Sequence, residues 1–251
     1  TKEAEIGEEV MRVENLSRKG FFKDISFSLK QGEILAITGL VGAGRTELCE
    51  ALFGITNYDS GQIYFEDMPV EIKEVNDAME LGIGYLPEDR QEEGLILDWE
   101  IDKNISLSAL DKISKKGWIN RKKEKSMAKN LSEKVNVKAR SIFNLAKELS
   151  GGNQQKLVVA KLLTSDLKVI ILDEPTKGVD VGAKAAIFEI MNELAAQNYA
   201  IIMVSSEMPE VLGMGDRILV MRTGKITAEL TAEEADQEKI LEAAMKEENI
   251  K

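Results

Sequence analysis

The stretch Gly39-Leu40-Val41-Gly42-Ala43-Gly44-Arg45-Thr46 restricts the fold of this 251-residue chain more than any other part of it. It follows the apolar run Ile34-Leu35-Ala36-Ile37-Thr38, which Gly32 sets off and which reads as a buried strand. It precedes a pattern that reads as a helix from about Arg45 to Phe53. Strand, glycine-rich turn and helix in immediate succession imply a sheet with helices packed on it. The glycines let the backbone come close to a ligand, successive N–H groups form a concave nest, and the helix start adds positive potential. That is an anion site. Read alone, the same residues would also serve as a tight strand-to-helix turn with no ligand.

Other segments fill in the architecture. Val10, Val13 and Leu16, then Ile25, Phe27 and Leu29, alternate with polar residues and read as N-terminal strands. Gln62–Phe65 and Ile83–Leu86 are further short strands, the latter ended by Pro87. From Glu88 onward the character changes: Leu107–Ile113 and Lys122–Val135 carry helical spacing, with Gly117-Trp118-Ile119-Asn120 as a turn and helix start. Val169–Leu172 and Ala200–Val204 are buried-strand patterns around a helix expected from about Ala183 to Asn198. The charged tail Thr231–Lys251 is a helix candidate. Strands alternating with helices predict an α/β fold with a mainly parallel sheet. The organisation expected is a core of residues 1–87 and 166–251, with an N-terminal antiparallel β subdomain, and a helical subdomain of residues 88–165.

Composition excludes some functions. The net charge of −11 disfavours a nucleic-acid partner, since phosphate backbones reward clustered Lys and Arg. A single cysteine, Cys49, rules out an internal disulfide and fits a reducing compartment. No apolar run approaches the length of a membrane helix, and the acidic opening TKEAEIGEEV lacks the pattern of a signal peptide. The chain opens on Thr1 rather than Met, so a longer parent chain is expected.

Two more constellations carry chemistry. Gly39–Thr46 follows the template G-x-x-x-x-G-K-[ST], with Thr46 supplying a hydroxyl for Mg²⁺. Arg45 stands where the template has Lys; its planar fork is longer and bulkier than an ammonium. Val169–Leu172 ends in Asp173-Glu174-Pro175-Thr176, a strand end at which the first carboxylate holds Mg²⁺ and the second orients an attacking water. Leu149-Ser150-Gly151-Gly152-Asn153-Gln154-Gln155-Lys156 opens a helix; Ser150 is positioned to cap it, and the glycine N–H groups stay open as a second anion site.

LSGG between a phosphate loop and a DEPT strand resembles the signature of the ABC ATPase family. GLVGAGRTEL, YLPEDR, LSGGNQQK, LDEPTKGVDVGAK and SSEMPEVLGMGDRILVM are similar to the C-terminal half of ribose/galactose/xylose-type sugar import ATPases, over residues of about 9 to 230. The resemblance implies a P-loop fold binding ATP and Mg²⁺, with nucleotide contacts from Gly39, Gly42, Ala43, Gly44, Arg45, Thr46 and Glu47. It implies Thr46 and Asp173 at the metal and Glu174 as catalytic base. Such domains work as head-to-tail pairs, each ATP held between one phosphate loop and the other domain's signature, here Ser150, Gly151, Gly152 and Gln154. The implied partners are a first nucleotide-binding domain in the same chain, transmembrane permease subunits and a periplasmic or extracellular sugar-binding protein, at the cytoplasmic face of the membrane. The helical insert, around Glu88–Trp99, is the expected receiving groove for the permease.

Departures from the family pattern are specific. Glu88 stands where a Gln is usual, and Ser206 where a switch His is usual; the chain contains no histidine. Ser17–Gly20 is too short for the usual adenine-stacking aromatic, and Phe21 and Phe22 read as core. A degraded set (Arg45, Glu88, Ser206) beside an intact signature implies that the domain's own site hydrolyses weakly while its signature completes a partner's site. A purely regulatory ATP-binding module is the alternative of a different class. A DNA-repair ATPase is disfavoured because the stretch between Thr46 and Leu149 has no room for a long coiled coil, and a ribosome-acting one because the chain is acidic.

Overall fold

A computed structural model of the chain describes residues 5–245. Two sheets form the frame. β1 (Glu9–Arg18), β2 (Phe22–Lys30), β4 (Ser60–Phe65) and β5 (Met68–Val70) make an antiparallel sheet in the order β2-β1-β4-β5. The second, six-stranded sheet runs β12-β11-β3-β10-β9-β6. In it β3 (Ile34–Gly39), β6 (Ile83–Leu86), β9 (Val169–Asp173), β10 (Ala200–Val204) and β11 (Arg217–Arg222) are parallel, and β12 (Lys225–Thr231) returns antiparallel on the edge.

Every residue of β6, β9 and β10 is buried, as a sheet covered on both faces requires. Successive side chains point to opposite faces. Leu35, Ile37, Ile171 and Ile202 join the antiparallel sheet and α1 (Arg45–Leu52) in one core. Ile34, Ala36, Ile170, Leu172 and Ile201 face the other core, which continues into the helical region. The remaining helices are α2 (Val75–Leu81), α3 (Ile101–Ser106), α4 (Leu110–Ile113), α5 (Arg121–Lys134), α6 (Gly151–Leu162), α7 (Val181–Ala196), α8 (Met208–Met214) and α9 (Gln237–Met245). A short hairpin, β7 (Ser114–Lys115) and β8 (Trp118–Ile119), turns at Gly117, and Asn120 then caps α5 through Lys122 and Lys123 N–H.

Three expectations shift. The helix expected over Leu107–Ile113 is broken: α3 ends at Ser106 and a 3₁₀ turn separates it from α4. α7 starts at Val181 rather than Ala183, because the Asp180 carboxylate accepts from Ala183 N–H at 3.0 Å and fixes the start. The tail is a helix only from Gln237; Thr231 still belongs to β12, and residues 246–251 of the expected helix lie outside the described residues.

Arg217 joins the two sheets. From β11 it donates to the buried Glu33 carboxylate at 2.8 Å, to Glu229, and to the Ser28 carbonyl on β2. The other Glu33 oxygen accepts from Lys30 N–H at 2.8 Å. Removing one partner of a buried pair strands the other charge, at a cost of about 3–5 kcal/mol. Arg217→Ala is expected to lower unfolding stability by that amount in urea titration, and a loss below about 1 kcal/mol would show that water reaches Glu33.

Candidate functional site

The loop from β3 to α1 sits where the backbone leaves no space for side chains. Gly39 has φ 153°, and a Cβ there would lie 2.1 Å from the Met221 carbonyl oxygen on β11. Gly44 has φ 93° and caps α1 from the left-handed region; its Cβ would come 2.8 Å from the Phe21 carbonyl oxygen. Gly42, at φ 77°, faces open space. The buried Ala43 accepts from Gly224 N–H at 2.9 Å, which ties the loop to the β11–β12 turn. Glu47 lies in the first turn of α1, where its charge suits the helix start.

Asp173 ends β9 beside this loop with 0 % exposure. Burial pushes its carboxyl up to about 6; Glu88 and Glu174 push the same way, and a hydrogen bond from Thr46 and the charge of Arg45 oppose them. The Tyr85 hydroxyl donates weakly to Oδ2 at 3.4 Å, and Oδ1 has no partner among the described residues. Tyr85 is itself pushed up by burial and by Asp173. Arg45 extends to Glu174, with Nη1 3.5 Å from Oε1, and both side chains are nearly buried. That Nη1 likewise lacks a hydrogen-bond partner. Glu174 is held at φ 47° with its N–H on the Val204 carbonyl at 3.0 Å. A buried orphan carboxylate oxygen beside a hydroxyl, and an orphan guanidinium N–H beside a glycine cradle, suit a cation and an anion respectively. Among the described residues no group of three or more Asp, Glu, Cys or His could hold a metal by itself. Mg²⁺ does not need one, since water and substrate phosphate complete its shell. Thr46 and Asp173 fit that requirement.

Glu88 follows β6 and pairs with Lys177. Ser206 is exposed just past β10. Its neighbour Ser205 is buried and donates to Glu210 at 2.8 Å; Glu210 also accepts from Thr176 at 2.6 Å and Lys184 at 3.0 Å. Phe22 is core, but Phe21 is 44% exposed and lies under the Arg18 guanidinium, 4.1 Å from its ring centroid. The expectation that both rings are core fails at Phe21, because the β1–β2 turn places it on the loop side next to Gly44.

At the second glycine motif, Ser150 occupies the N-cap of α6 in an extended conformation without a side-chain cap bond. Its hydroxyl oxygen accepts from Asn153 Nδ2 at 2.9 Å instead, which leaves the hydroxyl hydrogen free to donate outward. A Cβ on Gly151 would lie 2.7 Å from Arg90 Nη2, and one on Gly152 2.3 Å from Ala183 Cβ. Gln154 accepts from Gln91 at 3.0 Å. The structure thus gathers Gly39–Glu47, Glu88, Asp173 and Glu174 in one cluster, and joins Ser150–Gln154 to it through Glu88–Gln91 and Lys177–Gly178. Arg90, Asn153 and Glu210 were not singled out from sequence; only their contacts reveal them.

An apolar groove of about 300 Å³ is lined by Phe53, Met79, Tyr85, Val158 and Leu162. Of Glu88–Trp99, Glu93 and Gly94 line it; the rest of its wall comes from α2, β6 and α6, from Phe53 and Ile55 just after α1, and from Pro87, Ser108, Ser165 and Leu167.

A glycine cradle at the start of α1, a buried acidic strand end and a second glycine helix start define a P-loop ATPase of the ATP-binding cassette class. The chain belongs to the ABC transporter family, whose profile matches residues 22–177. It is 50% identical over 236 residues, 94% of this chain, to the ribose import ATP-binding protein RbsA of Caldanaerobacter subterraneus subsp. tengcongensis, and covers 48% of it. It is 48% identical over 239 residues to the protein of the same name from Bacillus subtilis, covering 95% of this chain and 48% of that one. The chain therefore spans about half the length of the curated relatives it matches. The solved ADP conformation of MJ1267, an ATP-binding cassette of an ABC transporter, superposes with a TM-score of 0.80 at 26% identity, over 96% of this chain and 100% of that one. No helix among the described residues is long and apolar enough to cross a membrane.

The Asp173 shift has a direction that can be tested. A carboxyl with a raised native pKa favours the fold below the ordinary carboxyl range, and that contribution is lost as pH rises through about 6. Asp173→Asn is expected to stabilise the ligand-free chain at about pH 8 by about 1–3 kcal/mol and to converge with the parent below about pH 4. Thermal melts at the two pH values check this; equal stability at the higher pH would contradict it.

Proposed function

We propose that the chain is the second ATP-binding half of a bacterial ribose-type sugar import ATPase, whose own nucleotide site is slow and whose signature completes the site of the first half. Identity of 48–50% along almost the whole chain to ribose import ATP-binding proteins supports the substrate class. The nucleotide-binding core is residues 1–87 and 166–251, of which 5–87 and 166–245 are described, and residues 88–165 form the helical subdomain.

The observation that carries the asymmetry is the Arg45–Glu174 contact. A base that orients water needs a carboxylate free to accept from it. Here Glu174 faces the guanidinium that also has to serve the phosphates, while Glu88 is tied to Lys177 and Ser206 offers no imidazole. Gly39, Gly42, Ala43, Gly44, Arg45 and Glu47 form the phosphate cradle, with Thr46 and Asp173 at the metal. Bound Mg²⁺ would neutralise phosphate charge. Ser150 is exposed and its free hydroxyl hydrogen, with the open N–H groups of Gly151 and Gly152 and with Gln154 behind them, suits a phosphate presented by another domain.

The partners in this reading are the first half, a permease at the cytoplasmic face of the membrane and an extracytoplasmic sugar-binding protein, and the net charge of −11 disfavours nucleic acid. The apolar groove suits a short permease helix.

Two measurements test the reading on the full-length protein assembled with its permease. Gly151 is a poor probe, because an acidic side chain there would meet Arg90 within the domain. Ser150→Asp is the cleaner change and is expected to reduce ATPase rate by about 10²-fold or more, whereas Glu174→Gln lowers it less than about threefold. Equal losses would make this domain's own site the working one. Met79, 39% exposed in the groove, supplies the second test: Met79→Glu is expected to weaken co-purification with the permease at least about tenfold without changing the melting temperature. Undiminished association would move the docking face elsewhere.

A further inference from the structure

We propose that Arg90 is the positioning residue that sets the signature helix according to the state of this domain's own nucleotide site, so that the two sites of the pair communicate through one guanidinium. The proposal rests on the paired-site reading above.

The segment after β6 is built to send consecutive side chains in different directions. Asp89 accepts from Gln91 N–H at 2.9 Å and Glu92 N–H at 3.2 Å, which starts a single π-helical turn, Arg90–Gly94. Such turns are rare and concentrate at functional sites. From it Glu88 reaches Lys177, Gln91 reaches Gln154 on α6, and Arg90 spans the gap between. The Arg90 Nη1 donates to the Lys177 carbonyl at 2.8 Å, and Nη2 approaches the Gly178 carbonyl at 3.5 Å.

Gly151 packs directly against the same guanidinium, with no room for a Cβ, and Gly152 packs as closely on Ala183 of α7. The start of the signature helix is therefore wedged between Arg90 and α7. Lys177 and Gly178 lie on the turn that leaves Glu174 and leads to Asp180, the cap of α7. A change around Glu88 or Lys177 displaces the carbonyl that holds Arg90, and with it the guanidinium packed on Gly151. The hydrogen bonds of the guanidinium go to carbonyl groups, Nε has no partner among the described residues, and burial lowers its pKa. A packed apolar side chain would avoid that desolvation. The planar fork of an arginine reaches the carbonyls of both Lys177 and Gly178 while packing on Gly151, a two-pronged geometry that an ammonium lacks.

The test uses the full-length protein carrying both halves, assembled with its permease. Arg90→Ala is expected to lower kcat about tenfold, the loss of one charge-assisted hydrogen bond, with KM for ATP within about twofold and the melting temperature unchanged. Arg90→Lys keeps the charge and stem but not the fork, and is expected to recover less than half of that loss; should the alanine variant not fold, the lysine variant carries the same comparison. Glu88→Gln breaks the pair with Lys177 and is expected to change kcat in the parent but not further in the Arg90→Ala background. Independent, multiplying effects of the two changes would overturn the proposal, as would a rise in KM matching the fall in kcat. Ser150→Asp separates the two levels of inference. If it abolishes turnover while Arg90→Ala retains the parent kcat, the role of Arg90 is wrong and the paired-site reading stands. If Ser150→Asp retains turnover, the paired-site reading fails first.

Discussion

A carboxylate with no exposure ends a central strand of this protein, and most of the site is arranged around that fact. β9 delivers Asp173 to the sheet edge between β6 and β10, in register with Val204. An isolated charge there would be costly, and the surroundings limit the cost only in part: a hydroxyl from Thr46, a weak donor from Tyr85 and the nearby Arg45. The remaining oxygen is left open. Evolutionary pressure for stability alone would not leave a buried acceptor unpaired beside a cradle of backbone donors. On the proposed reading, the local instability at Asp173 is the cost of a position meant to hold a cation beside a phosphate.

The same economy of space explains the glycines. At Gly39 and Gly44 the requirement is internal: strand β11 and the β1–β2 turn press against the loop, so any Cβ would collide before a ligand is considered. At Gly152 the requirement is also internal, because Ala183 of α7 closes on the helix start; at Gly151 the close neighbour is the end of the Arg90 side chain. Open N–H groups at these positions are thus a by-product of tight packing as much as a demand of phosphate binding. A substitution at a signature glycine reports on both, which is why Ser150 is the better probe of the role proposed for the signature toward a second domain.

Much of this was legible in the sequence. The strand-turn-helix at Ile34–Phe53, the acidic strand end and the LSGG helix start carry strong local signals, because glycine spacing and an apolar run ended by carboxylates have few other uses. The parallel sheet followed from continuous apolar runs. Less was legible where tertiary contacts decide. Ser150 looked like a cap because of its type and position, yet Asn153 captures its oxygen. Phe21 looked like core because aromatic pairs usually are, yet a tight turn turns it outward beneath Arg18. The break between α3 and α4 has no glycine or proline to announce it. Arg90 could not be recognised from its neighbours in sequence, since its partners lie at Lys177, Gly178 and Gly151.

The segment after β10 shows how a departure from the family pattern is accommodated. Glu210 is buried and fully engaged, accepting from Ser205, Thr176 and Lys184. Lys184 also reaches Glu207, so the segment is anchored to α7, and Glu207 N–H is held by the Ser205 hydroxyl at 3.1 Å. Charge-assisted bonds of this kind are the stronger ones, and several in one buried network restrain a loop more than any one of them would. Ser206 stands at the edge of this network, exposed and short, and cannot span to a phosphate as an imidazole would. A segment fixed by its own carboxylate has little need to sense what the adjacent cradle holds. The contacts that remain free to respond, Glu88 to Lys177 and Lys177 to Arg90, run the other way, toward the signature. On the proposed reading, the wiring of the nucleotide site leads outward to α6 rather than inward to β10, and an α6 set from within would serve a nucleotide held by the other domain.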